Sequence, residues 1–281
     1  LLGYLRLYRC TGKEKYLTTV LNGWKQIKDK HILVSGGPWS RHTDYNGNKE
    51  CFAHKDAFHP EKIFVEGCSD ATWVQLNIHL HEFTGDSKYF NEAEQTIINE
   101  VYRHQDIDGY KFAYYTIPNE NKTQHNPFYH CCGSSEPRGM EMYSNNLVGV
   151  INGVLSINTL FPASIKLSDE FGGGNMKISG NFPYTNKTTF NLNLDFKKKF
   201  KVEFRIPANT TLNSVLVNNK QIKYIKNNRG KYEINGSWEK GDMIDINYQF
   251  NLKAHEEIGE EGKRWFAFSY GPLALAEKLN R

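Results

Sequence analysis

The chain has 281 residues, 39% hydrophobic and 23% charged, the balance of a globular protein of one large or two ordinary domains. A net charge of +4 is too small for a nucleic-acid footprint. No apolar run approaches the roughly 20 residues of a membrane-spanning helix, so neither nucleic acid nor membrane is expected as a partner.

Leu1-Leu2-Gly3-Tyr4 reads as the middle of a helix with no initiator Met, so a preceding N-terminal portion is expected to be missing. The start therefore carries no address; the cytoplasm or periplasm of a bacterium is the expected compartment. Leu2, Leu5 and Tyr8, then Tyr16, Val20, Trp24 and Ile27, fall at helical spacing. Gly12 ends the first of these helices. The same helix, Thr-Gly turn and helix recurs 73 residues later around Thr84-Gly85, predicting a second hairpin from about Ser69 to Arg103. Another helix is predicted over Gly139–Gly153, with Met140, Tyr143, Leu147 and Ile151 on one face. Repeated helical hairpins suggest a solenoid or a closed α/α toroid, and five helices are too few to close one.

Between the hairpins, residues 35–66 form a long irregular stretch that holds Trp39, His42, Asp44, Tyr45, Glu50, His54, Asp56 and His59. Loops of this length in compact domains are usually functional or disordered, and the aromatic and His content argues for function. The three histidines read as solvated loop residues rather than ligands. A second loop spans residues 106–127. After about residue 154 the texture changes to strand-like runs: 153–160, 176–182, 188–194, 200–206, 214–217, 232–234, 243–249 and 265–274. Turn signals at Asn218-Asn219, Asn228-Arg229-Gly230 and Lys240-Gly241-Asp242 punctuate them. The Lys197-Lys198-Lys199 run reads as a strand end or turn. The fold class is thus α+β, with a helical domain over residues 1–155 and an antiparallel β-sandwich over residues 156–281.

The chemistry gathers at two motifs. Cys131-Cys132 precede Gly133, which permits a turn that would bring both sulfurs to one ion. Glu66 and Cys68, at i and i+2, would share one face of an extended segment. Three sulfurs and one carboxylate suit tetrahedral zinc. Cysteines are also ordinary core residues or disulfide partners. Five cysteines are too few, and odd in number, for a disulfide scaffold, and a vicinal Cys131–Cys132 bond would need a strained ring. Cys10 lies in an apolar helical pattern and reads as core; Cys51 has no evident partner. Four N-x-S/T sequons begin at Asn121, Asn186, Asn209 and Asn235. Aromatic residues, 14% of the chain, suit either a sugar cleft or a core.

Val34-Ser35-Gly36-Gly37, Glu50, Glu66-x-Cys68, Cys131-Cys132 and the turn Trp238-Glu239-Lys240-Gly241-Asp242 occur together over nearly the whole chain. In these motifs the sequence resembles glycoside hydrolase family 127, the β-L-arabinofuranosidases. The resemblance implies part of an (α/α)6 toroid followed by a β-sandwich, and retaining exo-hydrolysis of terminal β-L-arabinofuranosides on a plant or microbial glycan. It implies Cys131 as nucleophile, Glu50 as general acid/base, and Glu66, Cys68, Cys131 and Cys132 as zinc ligands. It also implies a sugar-proximal Tyr114, whose alternative is a core strand aromatic. His130 is a candidate to orient the nucleophile or touch sugar. The chain departs from the family pattern at Gly133–Arg138, where Pro-Pro-Asn is expected, and at Ser69-Asp70, where small apolar residues are usual. These segments are expected to border the sugar, with Arg138 as partner for an acidic sugar. Glu136 reads as opening a helix or assisting acid/base work. A different class of function stays open: zinc as a staple in a non-catalytic carbohydrate-binding or scaffold protein, since four protein ligands usually mark a structural site.

Overall fold

The computed structural model describes residues 1–41, 55–119, 125–126 and 130–276. Helices α1 (Leu2–Thr11) and α2 (Glu14–His31) form the first hairpin, and α3 (Gly67–Thr84) and α4 (Ser87–Thr96) the second. Both turns use the same device. Gly12 and Gly85 adopt left-handed φ of 64° and 68° and donate N–H to the carbonyls of Tyr8 and His81, a conformation that costs glycine little. Arg9 pairs with Glu82 at 3.1 Å, tying the repeats together at their 73-residue offset. The hairpins share a core of Leu5, Val20, Trp73, Leu76, Leu80 and Tyr89, with Trp24 stacked on Trp73.

After α4 the helix widens into a π-helical segment (Ile97–Val101) and closes with α5 (Tyr102–His104). Helix α6 covers Cys131–Ser144 and packs on α3. The helix expected over Gly139–Gly153 is therefore displaced. It begins eight residues earlier, carries Pro137 inside, and gives way to a strand, Val148–Ile151. Gly133 and Pro137 read as loop residues, and Leu147 and Ile151 as helical ones, only because local spacing was the sole guide. Two short strands, Trp39–Arg41 and Ile63–Glu66, pair within the stretch expected to be irregular, and Tyr115–Thr116 joins them in one sheet. Cys10 is exposed rather than core.

The strand-rich part builds two larger sheets. One runs in the order Lys220–Gln221, Thr210–Val217, Met243–Phe250, Lys187–Asn193, Asn175–Gly180, Ala163–Lys166. The other runs Ile225–Lys226, Tyr232–Trp238, Lys198–Phe204, Val154–Ile157, Val148–Ile151. Alternate residues of both enter one core, including Ile157, Met176, Phe190, Val202, Phe204, Ile234, Ile244 and Ile246. The pairing is not wholly antiparallel: Val154–Ile157 runs parallel to Lys198–Phe204. Three strands of the other sheet lie between them in sequence, and so long a crossover permits either direction. Leu252–Ile258, Arg264–Tyr270 and Leu273–Ala274 form a separate three-stranded sheet.

Buried ion pairs close the junction between helices and sheets. Arg205, 1% exposed, pairs with Glu94 of α4 and donates to Asn91 Oδ1 and the Asn158 carbonyl. Lys231 donates to Ser156 Oγ at 2.6 Å and Asn158 Oδ1 at 2.9 Å, and faces Glu203 at 3.3 Å.

Candidate metal centre

Glu66 ends a strand and stands at the N-cap position of α3 with extended backbone, φ −97° and ψ 132°. Its side chain makes no cap bond; its Oε1 lies 3.9 Å from Cys132 Sγ. Cys68 lies in the first turn of α3, so the expected extended Glu66-x-Cys68 segment is instead a strand turning into a helix at Gly67. Gly67 is needed there because space is missing: a Cβ on it would sit 2.3 Å from Glu136 Oε1 and 3.0 Å from Cys132 Cβ.

Cys131 and Cys132 open α6, so no turn at Gly133 is needed to gather their sulfurs. His130 caps this helix: its Nδ1 accepts from the Gly133 N–H at 3.2 Å, and its Nε2 donates to the Phe112 carbonyl at 3.2 Å. Cys132 is buried while Cys131 is exposed. The sulfurs of Cys132 and Cys68 are 3.5 Å apart and those of Cys131 and Cys132 3.9 Å. All four ligand atoms of Glu66, Cys68, Cys131 and Cys132 lie within 4.8 Å of one another, a group able to hold a metal ion. Sulfurs bound tetrahedrally at about 2.3 Å stand roughly 3.8 Å apart, so the donor set and its spacing fit zinc.

Both contributing helices aim their N-termini at this group, where the dipole favours anionic sulfur. The thiols respond to their surroundings differently. Burial pushes Cys68 up to about 11 and raises Cys132 further, with the charge of Cys68 adding to it. Cys131 is held below the usual thiol range, chiefly by the Tyr114 hydroxyl 3.4 Å from its sulfur. Tyr114 also packs against Tyr115 and, at 5.4 Å, against His130. Tyr114 thus lies against the exposed sulfur, with His130 packed behind Tyr114. Arg138 is exposed, two turns along α6 from Cys131. His59 packs edge-on against Trp265 at 5.0 Å. Glu50, Cys51, His42, Asp44, Tyr45, His54 and Asn121 lie outside the described residues. An open, largely apolar groove of about 500 Å³ runs from Cys68, Ser69 and Thr72 to Leu1, Leu2, Ile27 and Trp73.

Two expectations for the flanking segments fail. Asp70 does not border a pocket, and Glu136 does not open a helix. Both are fully buried and both face His104. With Glu100 and Thr116 they form a polar cluster that local reading missed, although Glu100 and His104 stand at i and i+4 and so share a helix face.

The model of the family described as "Beta-L-arabinofuranosidase, GH127 catalytic domain" matches residues 1–145. The chain belongs to glycoside hydrolase family 127. The family's "middle domain" model matches residues 155–250. Among solved structures, a GH127 beta-arabinofuranosidase is 20% identical with a TM-score of 0.81, over 97% of this chain and 45% of its own. A structure described as a glycoside hydrolase is 17% identical with a TM-score of 0.78, over 97% and 49%. A GH127 beta-L-arabinofuranosidase from Geobacillus stearothermophilus T6 is 15% identical with a TM-score of 0.77, over 96% and 45%. This chain therefore spans about half the length of the family 127 structures it matches, and the likeness is one of fold. No curated protein matches the chain. Among the described residues, no helix is long and apolar enough to cross a membrane.

Proposed function

We propose that the chain is the site-bearing portion of a retaining exo-glycosidase acting on terminal β-L-arabinofuranosides or a related sugar. The helical part would be a segment of an (α/α)6 toroid and the two larger sheets a β-sandwich, with the domains dividing near residue 155. The observation that carries the reading is the convergence of Glu66, Cys68 and Cys132 around an exposed Cys131. Zinc, held by these four residues, would lower the thiol pKa and fix the sulfur's position.

The remaining work falls to side chains. Cys131 Sγ attacks the anomeric carbon as the glycosidic C–O bond breaks, and Glu50 gives its proton to the leaving oxygen. Glu50 then takes a proton from water, which attacks the same carbon, breaks the C–S bond and restores the thiolate with net retention. Tyr114 donates to the Cys131 sulfur, and the His130 cap holds the peptide that presents it. Sugar contacts are assigned to Tyr114, His130 and Arg138, the last for a carboxylate-bearing sugar. The exposure of Cys131, beside three less exposed ligands, leaves its sulfur within reach of a substrate, which a structural staple does not require.

The test is hydrolysis of aryl β-L-arabinofuranosides, followed by other aryl furanosides. Glu50→Gln should slow turnover about 10²–10⁴-fold, because proton transfer is lost and no ligand is removed. A substrate with a good leaving group should lose less. Wild-type turnover by Glu50→Gln on a poor leaving group would remove Glu50 from its role and move the non-catalytic reading ahead.

A further inference from the structure

Directly beneath the cysteine group lies the buried cluster of Asp70, Glu100, His104, Thr116 and Glu136, each no more than 1% exposed. His104 is its hub. Its Nδ1 lies 3.1 Å from the Ala113 carbonyl and 3.2 Å from Glu136 Oε1. Its Nε2 lies 3.1 Å from Thr116 Oγ1 and 3.5 Å from Asp70 Oδ2. Each contact leads to a segment that bears the site. Asp70 follows Cys68 by two residues on α3, and Glu136 follows Cys132 by four on α6. Ala113 and Thr116 flank Tyr114. The last link is steric: the Glu136 carboxylate presses on Gly67, between the ligands Glu66 and Cys68, where not even a methyl group fits.

Glu100 lies in the π-helical segment Ile97–Val101 and both it and His104 are buried, and such widened turns recur at functional sites. A fully buried histidine among carboxylates is a costly arrangement for packing alone. We infer that His104 is a positioning residue of the metal centre: by contacting α3, α6 and the Tyr114 segment at once, it sets the distance between Cys68 and the Cys131-Cys132 pair. The inference rests on the metal-centre reading of the previous section.

Cobalt(II) is the probe, because its thiolate charge-transfer and d–d bands report sulfur ligation and geometry separately from activity. Wild-type protein should show sulfur-ligated cobalt. His104→Ala, which acts through Asp70, Glu136 and the Tyr114 segment rather than on a ligand directly, should weaken cobalt affinity about 10-fold, the low end for groups that orient metal ligands, and should shift the d–d bands. His104→Asn, which keeps a polar atom near the Nδ1 position, should recover part of both. Asp70→Asn, nearly isosteric, should change both in the same direction and serves if His104→Ala does not fold. Val101→Ala, in the same helical segment but facing an apolar core, is the control for general destabilisation. Wild-type affinity and spectrum in His104→Ala, or in Asp70→Asn where the alanine variant does not fold, would overturn the inference, as would an equal loss in Val101→Ala. A wild-type protein with no thiolate–cobalt band would instead overturn the metal-centre reading, and this inference with it.

Discussion

The junction of helices and sheets and the cysteine group gather ionisable groups in opposite ways. At the junction of helices and sheets each acid meets a base: Glu94 meets Arg205, and Glu203 meets Lys231. At the mouth of α3 and α6, like meets like: one carboxylate and three sulfurs converge within 4.8 Å. Burying charge is costly unless it is paired. The junction supplies its pairing from its own side chains and serves as a structural joint. The cysteine group supplies only donors to a cation, the composition of a ligand set.

The sharpest contrast should come from removing one member of each region. Cys132→Ser should leave the junction intact and cost a large share of the metal-binding free energy, which is about 10–16 kcal/mol for structural zinc peptides. Zinc bound after dialysis, read by elemental analysis, should fall to substoichiometric levels; full retention would break the contrast. Arg205→Met leaves Glu94 buried with the Tyr143 hydroxyl, 2.9 Å away, as its remaining side-chain hydrogen-bond partner among the described residues. It should cost about 3–5 kcal/mol in chemical denaturation while zinc content stays unchanged. Pairing it with Glu94→Leu should recover much of that loss.

The junction also carries a pH signature. Burial, then the nearby Lys231 charge, hold His81 down at about 4 against its ordinary 6.5. The unfolded chain therefore takes up the proton first as pH falls. The stability that this histidine contributes is whole above about 6.5 and lost progressively towards 4, amounting to about 3 kcal/mol. Urea midpoints across that window should show the loss, and His81→Gln should flatten it. The smallest effect, about 1–3 kcal/mol of overpacking, is expected from Gly67→Ala. Its mark should be a disproportionate fall in metal affinity, because the new methyl group would press on both Glu136 and Cys132.

The same contrast marks what was legible in the sequence. Glu66, Cys68, Cys131 and Cys132 sit in two short motifs, and their grouping was readable. How they converge was not: two helix N-termini do the work assigned to an extended segment and a Gly133 turn. The Thr-Gly hairpins were readable because a left-handed Gly12 or Gly85 is a local requirement. His104, Asp70 and Glu136 were not, because burial of charge depends on partners far apart in sequence. Pro137 and Gly133 hid the start of α6, since composition alone marks them as loop residues. The parallel pairing of Val154–Ile157 leaves no trace in local periodicity, which reports faces and not neighbours.

The most direct test of the central claim is metal content, with thiol reactivity, of protein purified without chelator. One equivalent of zinc per chain is predicted, with Cys68 and Cys132 protected from thiol reagents until zinc is stripped while the exposed Cys131 stays reactive. Arg205→Met should match it and Cys132→Ser should not. Protein that folds normally with no bound metal and three freely reactive cysteines at this site would contradict the account.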